Sequence, residues 1–154
     1  MKYYVKVTTP IHDFYIVEAE DKIVSVSFDN EGIENYLENE TPLLRNAKSQ
    51  LIEYCKGKRQ VFDLPLCQEG TEFMTKVWDY MSTIPYGEVV SYKDIAISIN
   101  HPKAYRAVGM ACNRNNIPIF IPCHRVIGSN RKLVGFAGGL DLKESLLKHE
   151  INNK

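Results

Sequence analysis

The chain of 154 residues predicts an α/β N-terminal domain (a small antiparallel sheet plus a helix, residues 1–69) and then a mainly helical C-terminal domain with a helix-turn-helix, residues 70–154. Three observations predict it. Short runs of alternating Val, Ile, Tyr and Phe fill the beginning of the chain, the period-2 signature of strands. From Pro42 onward apolar residues recur every three or four positions, the signature of helices. Between the two parts, Gln68-Glu69-Gly70 is a polar break. A hydrophobic content of 44% and a charged content of 25% are ordinary for a globular protein. No apolar run is long enough to span a membrane, and the N-terminus carries no signal-peptide core, so an intracellular, cytoplasmic protein without a membrane partner is expected.

Tyr3 to Thr9, Asp13 to Ala19 and Lys22 to Phe28 read as three antiparallel strands, with Pro10-Ile11-His12 and Glu20-Asp21 as turns. Leu43, Leu44, Ala47, Leu51 and Cys55 mark a helix that Gly57 stops. Glu18, Glu20 and Asp21 suit turns and solvent better than a metal cluster. After the break, Phe73, Val77, Trp78 and Met81 form the apolar face of a second helix. Pro85-Tyr86-Gly87-Glu88 is a turn by its proline and glycine chemistry. Ser91-Tyr92-Lys93-Asp94 has capping-box spacing, so a helix starts at Ser91 and buries Ile95, Ala96 and Ile99. Pro102 suits the first turn of a following helix, roughly Pro102 to Asn113. Ala104, Ala107, Val108 and Ala111 lie on one side of it, and Lys103, Arg106, Met110 and Arg114 along the other. Two short helices joined tightly, the second with a basic face, read either as a DNA-binding helix-turn-helix or as a core helix pair with a solvated cationic face.

Net charge is zero, but its distribution is uneven. Residues 1–70 hold eight Lys/Arg against twelve Asp/Glu, a balance of minus four, and residues 71–154 hold eleven against seven, plus four. The basic second half suits a polyanionic partner, or else a solvated surface balanced by the acidic first half.

The four cysteines, Cys55, Cys67, Cys112 and Cys123, show no C-x-x-C spacing, which fits reduced thiols better than a disulfide framework or a zinc knuckle. Cys123 lies in Ile121-Pro122-Cys123-His124-Arg125-Val126, after Ile117-Pro118-Ile119-Phe120, which reads as an extended, partly buried approach. His124 offers a base or hydrogen-bond partner, and the positive charge of Arg125 would lower the thiol pKa toward the nucleophilic thiolate. A cysteine in apolar surroundings is, however, more often an inert core residue. Cys112 is most simply a packing residue.

That hexapeptide, preceded by Ile84-Pro85-Tyr86-Gly87-Glu88-Val89-Val90-Ser91-Tyr92 and by Pro102-Lys103-Ala104-Tyr105-Arg106-Ala107-Val108-Gly109, resembles the O6-alkylguanine-DNA alkyltransferases, also called methylated-DNA–protein-cysteine methyltransferases. Gly135-Phe136-Ala137-Gly138-Gly139 and Lys143 to Glu150 extend the match, which covers about residues 70 to 150 in order. For residues 1–70 the resemblance is only to the family's variable N-terminal domain. It implies a monomer that binds double-stranded DNA through the minor groove and rotates out an O6-alkylguanine. The alkyl group then passes irreversibly, once per molecule and without a cofactor, to Cys123. His124 would take the thiol proton, through a water, and Glu150 would orient the imidazole. Arg106 matches the arginine that fills the vacated stack. Tyr92 matches the tyrosine that crowds the phosphate and can protonate the departing base. Asn115 matches the residue bracing the turn before the active-site strand, and Val126, Phe136 and Ala137 would line the guanine pocket. The sequence departs from the common pattern at Phe136, where tyrosine is usual, at Ala137, where some members have serine, and at Asn116, often proline. These put alkyl-size preference in doubt. No Cys/His set matches the zinc that some relatives hold. Two rivals stand beside this reading: a non-catalytic sensor of alkylated DNA, in which the cysteine is replaced, and a helix-turn-helix regulator. The latter would read the major groove, whereas small residues around one arginine suit the minor groove better. A Cys-His hydrolase lacks any visible oxyanion feature.

Overall fold

The computed structural model describes residues 1–128, 136 and 138–154, which form two compact units, Met1–Gln68 and Glu69–Lys154. Among the described residues no helix is long and apolar enough to cross a membrane, and no group of His, Cys, Asp and Glu is placed to hold a metal.

The first unit is a four-stranded sheet backed by one helix. β1 (Lys2–Thr8), β2 (Asp13–Ala19) and β3 (Lys22–Ser27) pair antiparallel as the alternation requires, burying Val5, Val7, Phe14, Ile16, Ile23 and Val26. Glu20 and Asp21, with φ of 52° and 64°, form the two-residue turn between β2 and β3, both central residues at positive φ as a type I′ hairpin turn demands. The sheet is not purely antiparallel. A fourth strand, β4 (Leu37–Glu38), lies parallel to β1 and gives the order β3-β2-β1-β4. Two residues are too short a run to show a period. α1 (Pro42–Cys55) starts at Thr41, whose hydroxyl accepts from the Leu44 amide and donates to the buried Glu18 carboxylate. It ends in a Schellman motif: Lys58 N–H donates to Glu53 O and Gly57 N–H to Tyr54 O, with Gly57 at φ 75°.

The second unit is helical around one small sheet. α2 (Glu72–Met81) is capped by Thr71 and buries Val77, Trp78 and Met81. A Cβ on Gly70 would meet the Trp78 ring at 2.5 Å, so only glycine lets the chain cross that ring. β5 (Val90–Ser91) pairs in parallel with β6 (Val126–Ile127). Ser91 and Asp94 form the complete capping box of α3 (Tyr92–Ser98). α3 buries Ile95 and Ala96 but ends before Ile99, which is only half-buried. Its C-terminus is a second Schellman motif, with Asn100 at φ 65° in the left-handed position: His101 N–H reaches Ala96 O and Asn100 N–H reaches Ile97 O.

α4 starts later than its pattern predicts, spanning Tyr105–Asn113. Pro102 and Lys103 lie instead in a turn that Ala104 N–H closes onto His101 O at 2.9 Å, because the left-handed Asn100 has already redirected the chain. The buried face of α4 is Val108, Ala111 and Cys112, with Ala107 exposed on the opposite side. Trp78 Nε1 donates to Ala111 O at 2.9 Å and fixes α2 against α4. The approach to Cys123 is not extended either. Ile121 N–H returns to Ile117 O at 2.9 Å, and buried Ile119 sits at φ 73°, an outlier for a β-branched residue. α5 (Leu140–Asn152) begins at Gly139, φ 91°, without a side-chain cap.

Candidate active site

Cys123 opens a single 3-10 turn, Cys123–Arg125, whose three residues are all buried. Pro122, at φ −79° and ψ 69°, is the centre of an inverse γ-turn closed by Cys123 N–H to Ile121 O at 2.8 Å. Asn115 holds the preceding loop from both ends. Its amide donates to Ile121 O at 2.9 Å and its oxygen accepts from Ile117 N–H at 3.0 Å. The thiol is therefore presented by backbone fixed at each step.

Burial pushes the Cys123 thiol up to about 11, against the opposing pull of the Asn115 side chain and Lys143. The expected lowering by Arg125 does not occur, because that guanidinium is turned to Glu150. Nε donates to Oε1 at 2.9 Å, Nη2 to Oε2 at 3.0 Å, and Nη1 to Ile84 O at 2.7 Å. At neutral pH Cys123 rests as a neutral thiol, and ionising it requires a base.

His124 and Glu150 are both wholly buried, with His124 Nε2 2.5 Å from Glu150 Oε2. Burial works to raise the Glu150 carboxyl, but the hydrogen bonds from His124 and Arg125 and the Arg125 charge outweigh it and hold it well below the usual carboxylate range. Gly87 N–H donates to Oε1 at 2.9 Å, so each carboxylate oxygen accepts two bonds. An ionised carboxylate only accepts, so His124 Nε2 must carry the proton and Nδ1 is the basic nitrogen. Nδ1 is buried and has no hydrogen-bond partner among the described residues. Burial lowers the His124 pKa, opposed by Glu150, so the imidazole is neutral at pH 7. Gly87 stands at φ 80° in the Pro85–Glu88 turn, the conformation that aims its N–H at the carboxylate.

Tyr92, the first residue of α3, is half-buried, and its ring lies 4.0 Å from where a Cβ on Gly109 would stand. Burial raises its phenol to about 12, with the Cys112 and Cys123 thiols adding to the rise. It is protonated at neutral pH. Val126 is buried in β6, and Phe136 is half-exposed, its carbonyl accepting from Gly139 N–H at 3.0 Å. Ala137 lies outside the described residues. Arg106 and Met110 project from the exposed face of α4, joined by exposed Arg114 at its C-cap. Lys103 is exposed in the preceding turn and so does not extend that helical face.

Three participants were not legible as such in the sequence. Arg125 is the bidentate partner of Glu150, Gly87 supplies a backbone donor, and Lys143, fully buried on α5, donates from Nζ to Val126 O at 2.6 Å. A signal existed for Lys143 alone: it precedes Glu150 by two helical turns and so shares its face.

The chain matches the family description "6-O-methylguanine DNA methyltransferase, ribonuclease-like domain" over residues 2–68 and "6-O-methylguanine DNA methyltransferase, DNA binding domain" over residues 72–152. It is 47% identical to the constitutive methylated-DNA–protein-cysteine methyltransferase of Bacillus subtilis, over 97% of this chain and 96% of that one. It is 46% identical to the corresponding protein of Methanosarcina acetivorans, over 96% and 97% of the two chains. The crystal structure of Mycobacterium tuberculosis OGT in complex with DNA superposes with a TM-score of 0.91 at 35% identity, covering 98% of this chain and 94% of that one. With both halves of the chain matched in order, it belongs to the 6-O-methylguanine DNA methyltransferase family.

Proposed function

We propose that this protein repairs O6-alkylguanine in double-stranded DNA by moving the alkyl group to Cys123, once per molecule. The observation that carries the reading is the buried series of neutral thiol, neutral imidazole and ionised carboxylate at Cys123, His124 and Glu150. Nδ1 of His124 takes the Cys123 proton, through a water. The new imidazolium is stabilised by Glu150, which Arg125 and Gly87 keep ionised and oriented. The sulfur attacks the alkyl carbon in line. The S–C bond forms as the C–O6 bond breaks, the electron pair leaves with guanine, and guanine takes up a proton, for which the phenol of Tyr92 is the donor; the phenolate then regains a proton as the His124 imidazolium gives one up, through solvent. The sum is one thiol converted to one thioether and one alkylguanine to guanine. No step regenerates the thiol.

The base must leave the duplex to reach a buried sulfur, and unstacking costs a few kcal/mol, least for a poorly paired alkylguanine. α4 is the element for the minor groove. Arg106 fills the vacated stack, small Ala107 allows close approach, and Met110, Arg114 and the nearby Lys103 flank it. Val126 and Phe136 line the base pocket, and Asn115 braces the loop that leads to Cys123. The substrate places the protein inside the cell, with the DNA.

Intact-protein mass after incubation with an O6-methylguanine oligonucleotide tests the reading, with Cys123→Ser alongside. One methyl added to the wild-type protein and none to the variant is expected. Tight binding without a mass gain would instead make it a sensor, and neither gain nor binding would end the proposal.

A further inference from the structure

The Pro85-Tyr86-Gly87-Glu88 turn reads in the sequence as a reversal only, and of its residues the chemistry above uses Gly87 alone. In the structure the turn does more. Glu88 N–H closes it onto Pro85 O at 3.1 Å, which makes Tyr86 and Gly87 its two central residues. Just before it, Ile84 O accepts from Arg125 Nη1 at 2.7 Å. The Tyr86 ring faces the Arg125 guanidinium, whose carbon stands over it at 5.6 Å from the centroid. Gly87 N–H donates to Glu150 Oε1 at 2.9 Å. One turn therefore meets both members of a buried ion pair, the cation through a ring face and the anion through a backbone donor.

The two kinds of contact restrain different motions. All five donors of a guanidinium lie in its plane, so the bonds to Glu150 and Ile84 O fix the edge of the group. Hydrogen bonds tolerate a broad range of angles, and in-plane bonds alone resist a tilt of that plane only weakly. A ring face attracts the cation from outside the plane, and it does so more strongly where water is excluded. Arg125 is buried here and Tyr86 is half-buried. Tilt matters because Glu150 Oε2 is shared between Arg125 Nη2 and His124 Nε2. A guanidinium that tips out of the fork lets the carboxylate turn, and the bond that leaves Nδ1 as the basic nitrogen of His124 loosens with it.

We propose that Tyr86 is a positioning residue of the acceptor site: its ring face sets the tilt of the Arg125 guanidinium, and through it the orientation of Glu150 and of the His124 imidazole that takes the Cys123 proton. This rests on the alkyl-transfer reading. Tyr86 makes and breaks no bond in the reaction. The role belongs to the ring and not to the hydroxyl, since it is the π face that draws a cation.

The test is the single-turnover reaction of the full chain with free O6-benzylguanine, which removes DNA binding and extrusion from the rate. Tyr86→Phe is compared with Tyr86→Leu and with mono-, di- and trifluorinated phenylalanine placed at the same position. Fluorine withdraws electron density from the ring face and leaves its shape nearly unchanged, so a packing role alone gives a flat series. Tyr86→Phe should react within about twofold of the wild type, the fluorinated rings progressively more slowly, and Tyr86→Leu about three- to tenfold more slowly. The guanidinium reports the step between: the two Nη groups of Arg125 should give separate NMR signals in the wild type and in Tyr86→Phe, and exchange-averaged signals in Tyr86→Leu. A flat fluorine series would overturn the proposal, as would a Tyr86→Phe as slow as Tyr86→Leu, or unchanged guanidinium signals in a folded Tyr86→Leu. If Tyr86→Leu does not fold, the fluorine series decides alone. The Arg125 signals are read without substrate or DNA, and methyl acceptance is read by mass, so a failed reaction and a failed role for Tyr86 give different results.

Discussion

Arg125 stands beside a cysteine yet serves a glutamate twenty-five residues away. Its guanidinium spans both Glu150 oxygens and still reaches Ile84 O, a three-point fit that needs a planar fork. Lysine, a point charge on a flexible stem, cannot reproduce it. Arg125→Lys should therefore lower the unfolding free energy by about 1–3 kcal/mol, the range for stripping partners from a buried charged group. Urea titration reads that loss. The same variant should slow alkyl transfer in single-turnover assays, because a Glu150 that has lost part of its clamp orients His124 less well. Adjacency in sequence misled here for a physical reason. A side chain several ångströms long chooses its partner in three dimensions, so a neighbouring charge in the sequence says little about the field at the sulfur.

At the scale of elements, α4 carries the proposed DNA contact, and Arg106 is its one arginine within the helix. Arg106→Ala should slow repair in duplex DNA far more than reaction with the free base O6-benzylguanine, which needs no extrusion; equal losses in the two assays would remove the finger role. What was legible in the sequence at this scale was local. The Ser91–Asp94 capping box, the Gly57 stop and the Glu20-Asp21 turn are each decided by residues within a few positions, and each stands as read. The start of α4 was not legible, because a left-handed Asn100 before Pro102 delays the helix to Tyr105, and Ala107 and Lys103 take other places in consequence. Nor was the turn at Ile119, since nothing in a β-branched side chain favours φ of 73°; it is imposed by Asn115 and the Ile117–Ile121 bond around it.

For the molecule as a whole, the buried charges set an acid limit. His124 in the folded state is held below its ordinary 6.5, so the unfolded chain gains a proton there as pH falls through that value and the native state does not. Glu150 is held below its ordinary 4.5, so the unfolded chain again takes up the proton first. In both ranges the unfolded state binds more protons, and stability falls with falling pH. Thermal unfolding should show Tm declining from about pH 7 downward, with a second loss beginning near the ordinary glutamate range. His124→Gln should blunt the first decline. Whether the chemistry and the groove contact move together is decided by something smaller, the parallel pair of Val90–Ser91 with Val126–Ile127. One strand runs straight into Tyr92 and α3, and the other leaves the acceptor turn at Arg125. Two rungs of backbone thus act as a fixed spacer between the part that would rest on DNA and the sulfur that would react. The position of the thiol relative to α3 is then a constant of the fold rather than the result of a search.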